Sequence, residues 1–158
     1  MLDEEKMHTW ERFAEEKGKD ITEVIDINKD IKPLAQKCME YGAKVLIIKC
    51  GAAGMYYCSG SKEELEYLAN HNIDVDAWAG RDGFERSYVP EKVLSGTGAG
   101  DTSIAAFLTA MLEGYGFEDA MHFATATGAL CVACYDSLSG ILPLEEVKKK
   151  IDDGWEKA

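Results

Sequence analysis

The run Ser95-Gly96-Thr97-Gly98-Ala99-Gly100-Asp101 sets glycines at alternate positions and ends on an acid. Glycine lets the backbone turn its N–H groups inward with no Cβ in the way, and a helix starting there adds partial positive charge, so such a loop holds an anion. Ile104, Phe107, Leu108, Met111 and Leu112 fall on a two-turn apolar stripe, which predicts a helix over 101–113, while Tyr88 to Leu94 reads as a strand. Strand, glycine loop and helix form the setting of a phosphate cradle. A carboxylate beside bound phosphate repels it unless the acid has chemistry to do. For Asp101 that chemistry is to accept a proton from a hydroxyl attacking a γ-phosphorus. The bland alternative is a tight turn with Asp101 capping the helix. A dinucleotide site, which Gly96, Gly98 and Gly100 also imitate, needs an acid at the end of a strand about 20 residues on. Glu118 and Asp119 stand near that distance, but at the start of a helix.

The other chemistry-bearing residues point to packing. Cys131-Val-Ala-Cys134 has the gap of redox and zinc motifs, yet it lies late in an apolar helix with no second pair. Five cysteines form an odd set and read as buried free thiols. Asp26-x-Asn28-x-Asp30 imitates the opening of a calcium loop, but position six is Ile31 and position twelve is Lys37, so calcium binding fails. His8, His71 and His122 pair with no nucleophile: His8 and His71 read as surface, His122 as helix surface or rim of the phosphate site. Trp10, Trp78 and Trp155 read as packing residues.

The elements that must position the loop follow from periodicity. A first helix is predicted to end near Lys17, and a second follows Ile31, Leu34, Ala35, Cys38 and Met39 until Tyr41-Gly42. Val45 to Ile48 is continuously apolar, as in a strand of a parallel sheet buried on both faces, and is expected at its centre. Gly51 to Gly54 is a turn leading to a strand over 55–58. Ser61 and Glu64 have capping-box spacing for a short helix over 62–70, and 74–94 reads as a hairpin or two short strands. Helices are predicted over 101–113 and about 117–134, packed with 30–41 on the sheet faces, and Pro143 opens a last one closed by Lys148 to Lys150.

One unit is the expectation for 158 residues that are 46% hydrophobic and 29% charged, with no apolar run near the roughly 18 residues of a membrane span. The start Met1-Leu2-Asp3 has no basic and apolar leader pattern, so a cytoplasmic location is expected. A formal charge of −12 repels phosphate backbones and anionic lipid, which argues against nucleic acid and membrane partners. A small phosphorylated ligand held by backbone N–H groups stays compatible with that charge.

Thr97-Gly98-Ala99-Gly100-Asp101-Thr102 resembles the signature of ribokinase-type (PfkB family) carbohydrate and nucleoside kinases. Val45 to Tyr57, with its glycine turn, is similar to their strand–turn–strand, and Ala124 to Leu130 followed by Pro143-Leu144-Glu145 occupies later positions of the pattern. The resemblance covers about residues 20–152. It implies a three-layer α/β ribokinase-like fold with a largely parallel sheet, of which 1–158 would be a single partial domain from the C-terminal half, residues 1–20 being a peripheral helix. It implies an ATP-dependent phosphotransferase acting on a sugar or nucleoside hydroxyl, with Asp101 as catalytic base and Gly98, Ala99 and Gly100 as anion hole. Gly51, Gly54, Thr97, Thr125 and Gly128 would lie near the nucleotide, and Mg-ATP would be the donor. Where members often carry Asp-Thr-Thr, whose acid helps bind a monovalent cation, this chain has Ser95 and Gly96, so that acid is missing. The sugar-binding half of the pattern is absent, so the chain alone is expected to phosphorylate nothing and to self-associate as a homo-oligomer. The alternative is a non-catalytic nucleotide-binding or partner-binding fragment.

Overall fold

The computed structural model describes residues 4–71 and 73–158. Helix α1 (Glu4–Lys17) buries only Ala14; residues 1–3 of the expected 1–20 segment lie outside the described residues. A π-helical turn, Ile27–Ile31, is capped by the Asp26 carboxylate, which accepts from the N–H groups of Asn28 and Lys29. Helix α2 (Lys32–Glu40) follows directly, with Pro33 in its first turn.

Strands β1 (Val45–Lys49), β2 (Gly54–Ser59) and β3 (Asp82–Arg86) form a sheet in the order β1-β2-β3, and both pairings are antiparallel. The largely parallel sheet expected from the apolar run is therefore overturned, and β1 lies at an edge instead of the centre. The reason is local: Val45 pairs with Ser59 and Lys49 with Met55, and the few residues between β1 and β2 cannot make the crossover of a dozen or more that parallel neighbours require. Gly54 permits the pairing on the other side. Its φ is 133°, and a Cβ there would run into the backbone carbonyl of Glu85 on β3.

The layering does hold. Val45 and Ile47 of β1 and Met55 and Tyr57 of β2 pack toward one core, while Leu46, Ile48, Tyr56 and Cys58 pack toward another that contains Ile31 and Ala35. Alternation thus feeds two helical layers, so a strand covered on both faces reads as a continuous apolar run even when its neighbours are antiparallel. The first core belongs to α5 (Ala99–Leu112) and α6 (Phe117–Val132), the most extensively packed pair of elements. Ala106 and Ala110 of α5 and Ala120 and Ala124 of α6 are buried and small, which lets the two backbones approach. Phe117 stacks near Tyr57, Trp78 and Phe107, with ring centroids 5.1, 5.0 and 5.8 Å away.

Segment 74–94 is not a hairpin. The Asp74 carboxylate accepts from the Asp76 N–H at 3.0 Å and caps a helical turn, α4 (Val75–Trp78), so β3 is the sole strand of this segment. Helix α3 (Lys62–Leu65) has the expected Ser61 and Glu64 capping box and continues as a 3-10 stretch, Glu66–His71. Tyr88 to Leu94 is not a strand either: Tyr88 makes a lone bridge to Lys157, and Pro90, with no N–H, interrupts any ladder. Helix α7 (Leu144–Asp152) closes the chain after Pro143. No helix of the described residues is long and apolar enough to cross a membrane.

Candidate functional site

Gly98 caps α5 in a left-handed conformation, φ 80° and ψ −11°. Its carbonyl accepts from the N–H groups of Asp101 at 3.0 Å and Thr102 at 2.9 Å, which fixes the first turn. The Ala99 N–H reaches back to Gly96 at 3.3 Å. Among the described residues no protein acceptor meets the N–H groups of Gly98 or Gly100, so two donors of the predicted anion hole are free while Ala99's is engaged. They sit at the positive end of a 14-residue helix. The Asp101 side chain is exposed, with no hydrogen bond or ion pair among the described residues. It can therefore accept a proton from outside the protein.

The loop is held from behind. Leu94 and Ser95 donate their N–H groups to the Val132 carbonyl at the end of α6, at 2.8 and 3.3 Å. The Ser137 hydroxyl donates to the Thr97 carbonyl at 3.2 Å and occupies the space that a Cβ on Gly98 would need. Ser137 is itself placed by Asp136, whose carboxylate accepts from the Ser139 hydroxyl and from the N–H groups of Ser139 and Leu138. Those bonds, the Ser139 hydroxyl first, bring the Asp136 carboxyl down to about 2.

Sequence reasoning missed Lys49. It ends β1 on the α5 side of the sheet, and its Nζ lies 2.5 Å from where a Cβ on Gly100 would stand. An ammonium group thus rests against the glycine of the helix start, and among the described residues no carboxylate lies within salt-bridge distance of it. Nothing in the sequence near Lys49 announces this role, because the partner glycine comes 51 positions later.

The remaining predicted residues divide. Gly51 lies in the exposed turn Gly51–Ala53, two residues after Lys49, where its φ of 61° and the Thr22 hydroxyl at 2.5 Å from the place of a Cβ both demand glycine. Gly54 faces β3, as described, and Thr97 is exposed on the loop. Thr125 does not join them. It is 2% exposed, and its hydroxyl donates to carbonyls of its own helix, Met121 at 3.1 Å and His122 at 3.2 Å. Gly128 serves helix packing, since a Cβ there would meet the Ser103 hydroxyl of α5 at 2.5 Å. His122 stands 3.6 Å from Glu85 on β3.

A cavity of about 230 Å³ opens beside Lys49, Cys50 and Ala53, with Ile25, Ile27 and Phe84 among its walls. A larger depression, about 460 Å³, lies under α1 between Trp10, Phe13 and Val24 and shares no residue with the glycine loop. The free donors, the ammonium and the carboxylate all gather at the loop, and that cluster, not the larger depression, is the candidate site. Among the described residues no three His, Cys, Asp or Glu side chains cluster as metal ligands.

The sequence pattern of the pfkB family carbohydrate kinases matches residues 8–143. Ribokinase of Arabidopsis thaliana is 29% identical over 125 residues, covering 78% of this chain and 27% of the relative. A structure of Arabidopsis thaliana ribokinase with ribose and ATP superposes with a TM-score of 0.60 at 26% identity, over 77% of this chain and 33% of that one. The 5-dehydro-2-deoxygluconokinase of Clostridium tetani is 26% identical over 124 residues, 77% of this chain and 30% of the relative. An E. coli protein provisionally designated ribokinase II, solved with ATP and Mg2+, gives a TM-score of 0.60 at 26% identity, with 77% and 33% of the two chains covered. The chain spans about three tenths of the length of the curated relatives it matches.

Proposed function

The chain belongs to the pfkB family of carbohydrate kinases, and from that premise we propose that it binds Mg-ATP at the start of α5 and carries the catalytic base of a phosphotransferase whose acceptor is a sugar or nucleoside hydroxyl. The observation that carries this reading is the pair of free N–H groups at Gly98 and Gly100, beside an unpaired carboxylate at Asp101. Mg-ATP supplies the phosphoryl group, and the metal travels with its phosphates. The chain's own work is electrostatic and positional. The N–H groups of Gly98 and Gly100 are fixed before the reaction, so they stabilise negative charge on the transferred group with no reorganisation, and Lys49 adds a full positive charge at the same place. Asp101, the third residue of the helix, takes the proton of the acceptor hydroxyl at a carboxylate oxygen.

Two substitutions test the anion site by calorimetry with Mg-ADP. Gly100→Val is expected to abolish binding: a Cβ at 100 already meets the Lys49 ammonium at 2.5 Å, and the valine methyls would extend over the free N–H groups. Affinity equal to the parent's would count against the site. Lys49→Met keeps the aliphatic stem and removes the charge. It is expected to weaken Mg-ADP about tenfold, or ~1.4 kcal/mol, the low end for a hydrogen bond to a charged group.

A further inference from the structure

Two of the three peptide units around Gly98 are closed by the loop itself. In the 96–97 unit the Thr97 N–H donates to the Ser95 hydroxyl at 3.2 Å, and the Gly96 carbonyl accepts from Ala99. In the 98–99 unit the Gly98 carbonyl accepts from Asp101 and Thr102, which ties it to the first turn of α5. The 97–98 unit between them has no such bond. Among the described residues its carbonyl, on Thr97, accepts from the Ser137 hydroxyl at 3.2 Å and from the weaker Cys131 thiol at 3.6 Å, and its N–H, on Gly98, meets no protein acceptor. This peptide is held from outside the loop.

It is also the unit that glycine leaves loose. Turning its plane over changes ψ of Thr97 and φ of Gly98 and little else. Gly98 stands at φ 80°, and the turn carries it into the negative region, which glycine occupies as readily. Local sterics therefore do not decide which way the Gly98 N–H points. In a planar trans peptide, as here, the N–H points opposite to the carbonyl. With the Thr97 carbonyl drawn toward Ser137 and Cys131 behind the loop, the Gly98 N–H is turned to the open side. The bond that the carbonyl accepts also polarises the N–H and makes it a stronger donor.

We propose that Ser137 is a positioning residue of the anion site: its hydroxyl locks the 97–98 peptide with the carbonyl inward and so aims the Gly98 N–H at a bound phosphate. This rests on the reading of the start of α5 as the phosphate site. The lock joins the loop to the chain that follows α6, since Ser137 comes 40 positions after Thr97. Ser137 is itself held in a turn closed by the Asp136 carboxylate, which accepts from the Leu138 and Ser139 N–H groups at 2.9 and 2.7 Å and from the Ser139 hydroxyl at 2.6 Å. Its side chain fills the space beside Gly98 that a Cβ there would take, so it cannot swing away without leaving a gap.

The test uses the full chain, isotope-labelled, as the parent and as Ser137→Ala and Ser137→Thr. Ser137 is half-buried in a surface turn, so removing its oxygen leaves the core intact. Two quantities are read by nuclear magnetic resonance. One is the Overhauser contact between the Thr97 Hα and the Gly98 N–H without nucleotide, which changes when the peptide turns over. The other is Mg-ADP affinity, followed at the Gly98 and Gly100 amides. In the parent both amides are expected to shift on binding. Ser137→Ala is expected to change the Overhauser contact, to bind Mg-ADP about fivefold more weakly, and to lose at least about half of the Gly98 shift while that of Gly100 persists. Ser137→Thr, which keeps the hydroxyl, is expected to restore all three. Parent amides that do not move at any Mg-ADP concentration overturn the phosphate site, and the lock with it. A Ser137→Ala variant that keeps the parent's affinity, whichever way its peptide points, overturns the lock and leaves the phosphate site standing. Weaker binding with the parent's Overhauser contact, or Ser137→Thr no better than Ser137→Ala, makes Ser137 a packing residue and likewise overturns the lock alone.

Discussion

Asp101→Asn is expected to lower kcat by about 10²-fold or more, with Mg-ATP affinity little changed, in any longer or complemented form of the chain that turns over an acceptor. The substitution is nearly isosteric, and the parent carboxylate makes no hydrogen bond or ion pair among the described residues, so nothing structural is lost with it. Asparagine cannot take the hydroxyl proton. The free N–H groups of Gly98 and Gly100 belong to the backbone and stay where they are, so ground-state binding of the phosphates survives. Removing a carboxylate near bound phosphate also removes a repulsion, so any change in affinity should be toward tighter binding. The measurement is steady-state ADP release with Mg-ADP affinity determined in parallel. Unchanged kcat would show that Asp101 takes no part in the proton transfer. Equal losses in kcat and in affinity would show that the helix start had been disrupted.

Much of this site was legible because its signals are local. Glycines at 96, 98 and 100 before an acid and an apolar helical stripe specify a turn and a helix start within a dozen residues, and Ser61 with Glu64 specifies a cap in four. The differences have both local and long-range causes: the Asp74 cap and Pro90 act within their own segment, whereas the neighbours of β1 and of Lys49 come from far along the chain. Continuous apolar burial over Val45 to Ile48 is the mark of a central parallel strand, but burial on both faces does not by itself require parallel neighbours. The close spacing of β1 and β2 already excluded that arrangement, and α2 with α5 and α6 supplies the burial. Lys49 was passed over because its meaning depends on Gly100, which only the packing of α5 against β1 brings near. Only the resemblance sets Thr125 near the nucleotide, and no feature of the residue itself says so. A threonine hydroxyl can satisfy itself on the carbonyls of the preceding turn, as it does here with Met121 and His122.

The 158-residue chain assayed by itself is expected to transfer no phosphoryl group to any particular sugar or nucleoside, and at most to hydrolyse ATP slowly. It spans about three tenths of the curated relatives' length, and its functional groups serve only one side of the reaction. Gly98, Gly100 and Lys49 address the phosphates, and Asp101 addresses the acceptor's proton. None of them holds the acceptor in line with the γ-phosphorus or shuts water out. Such positioning can be worth roughly 7–11 kcal/mol of a barrier, about twice what a single general base contributes. A base with no positioned hydroxyl beside it acts on water, which is present at high concentration but unoriented. The exposure of Asp101 fits that outcome. A coupled ADP-release assay across a panel of sugars and nucleosides decides the matter: a low rate that is the same with every acceptor agrees with a site that has its anion hole and base but no acceptor grip, whereas saturable turnover specific to one acceptor would mean that this chain builds an acceptor site of its own.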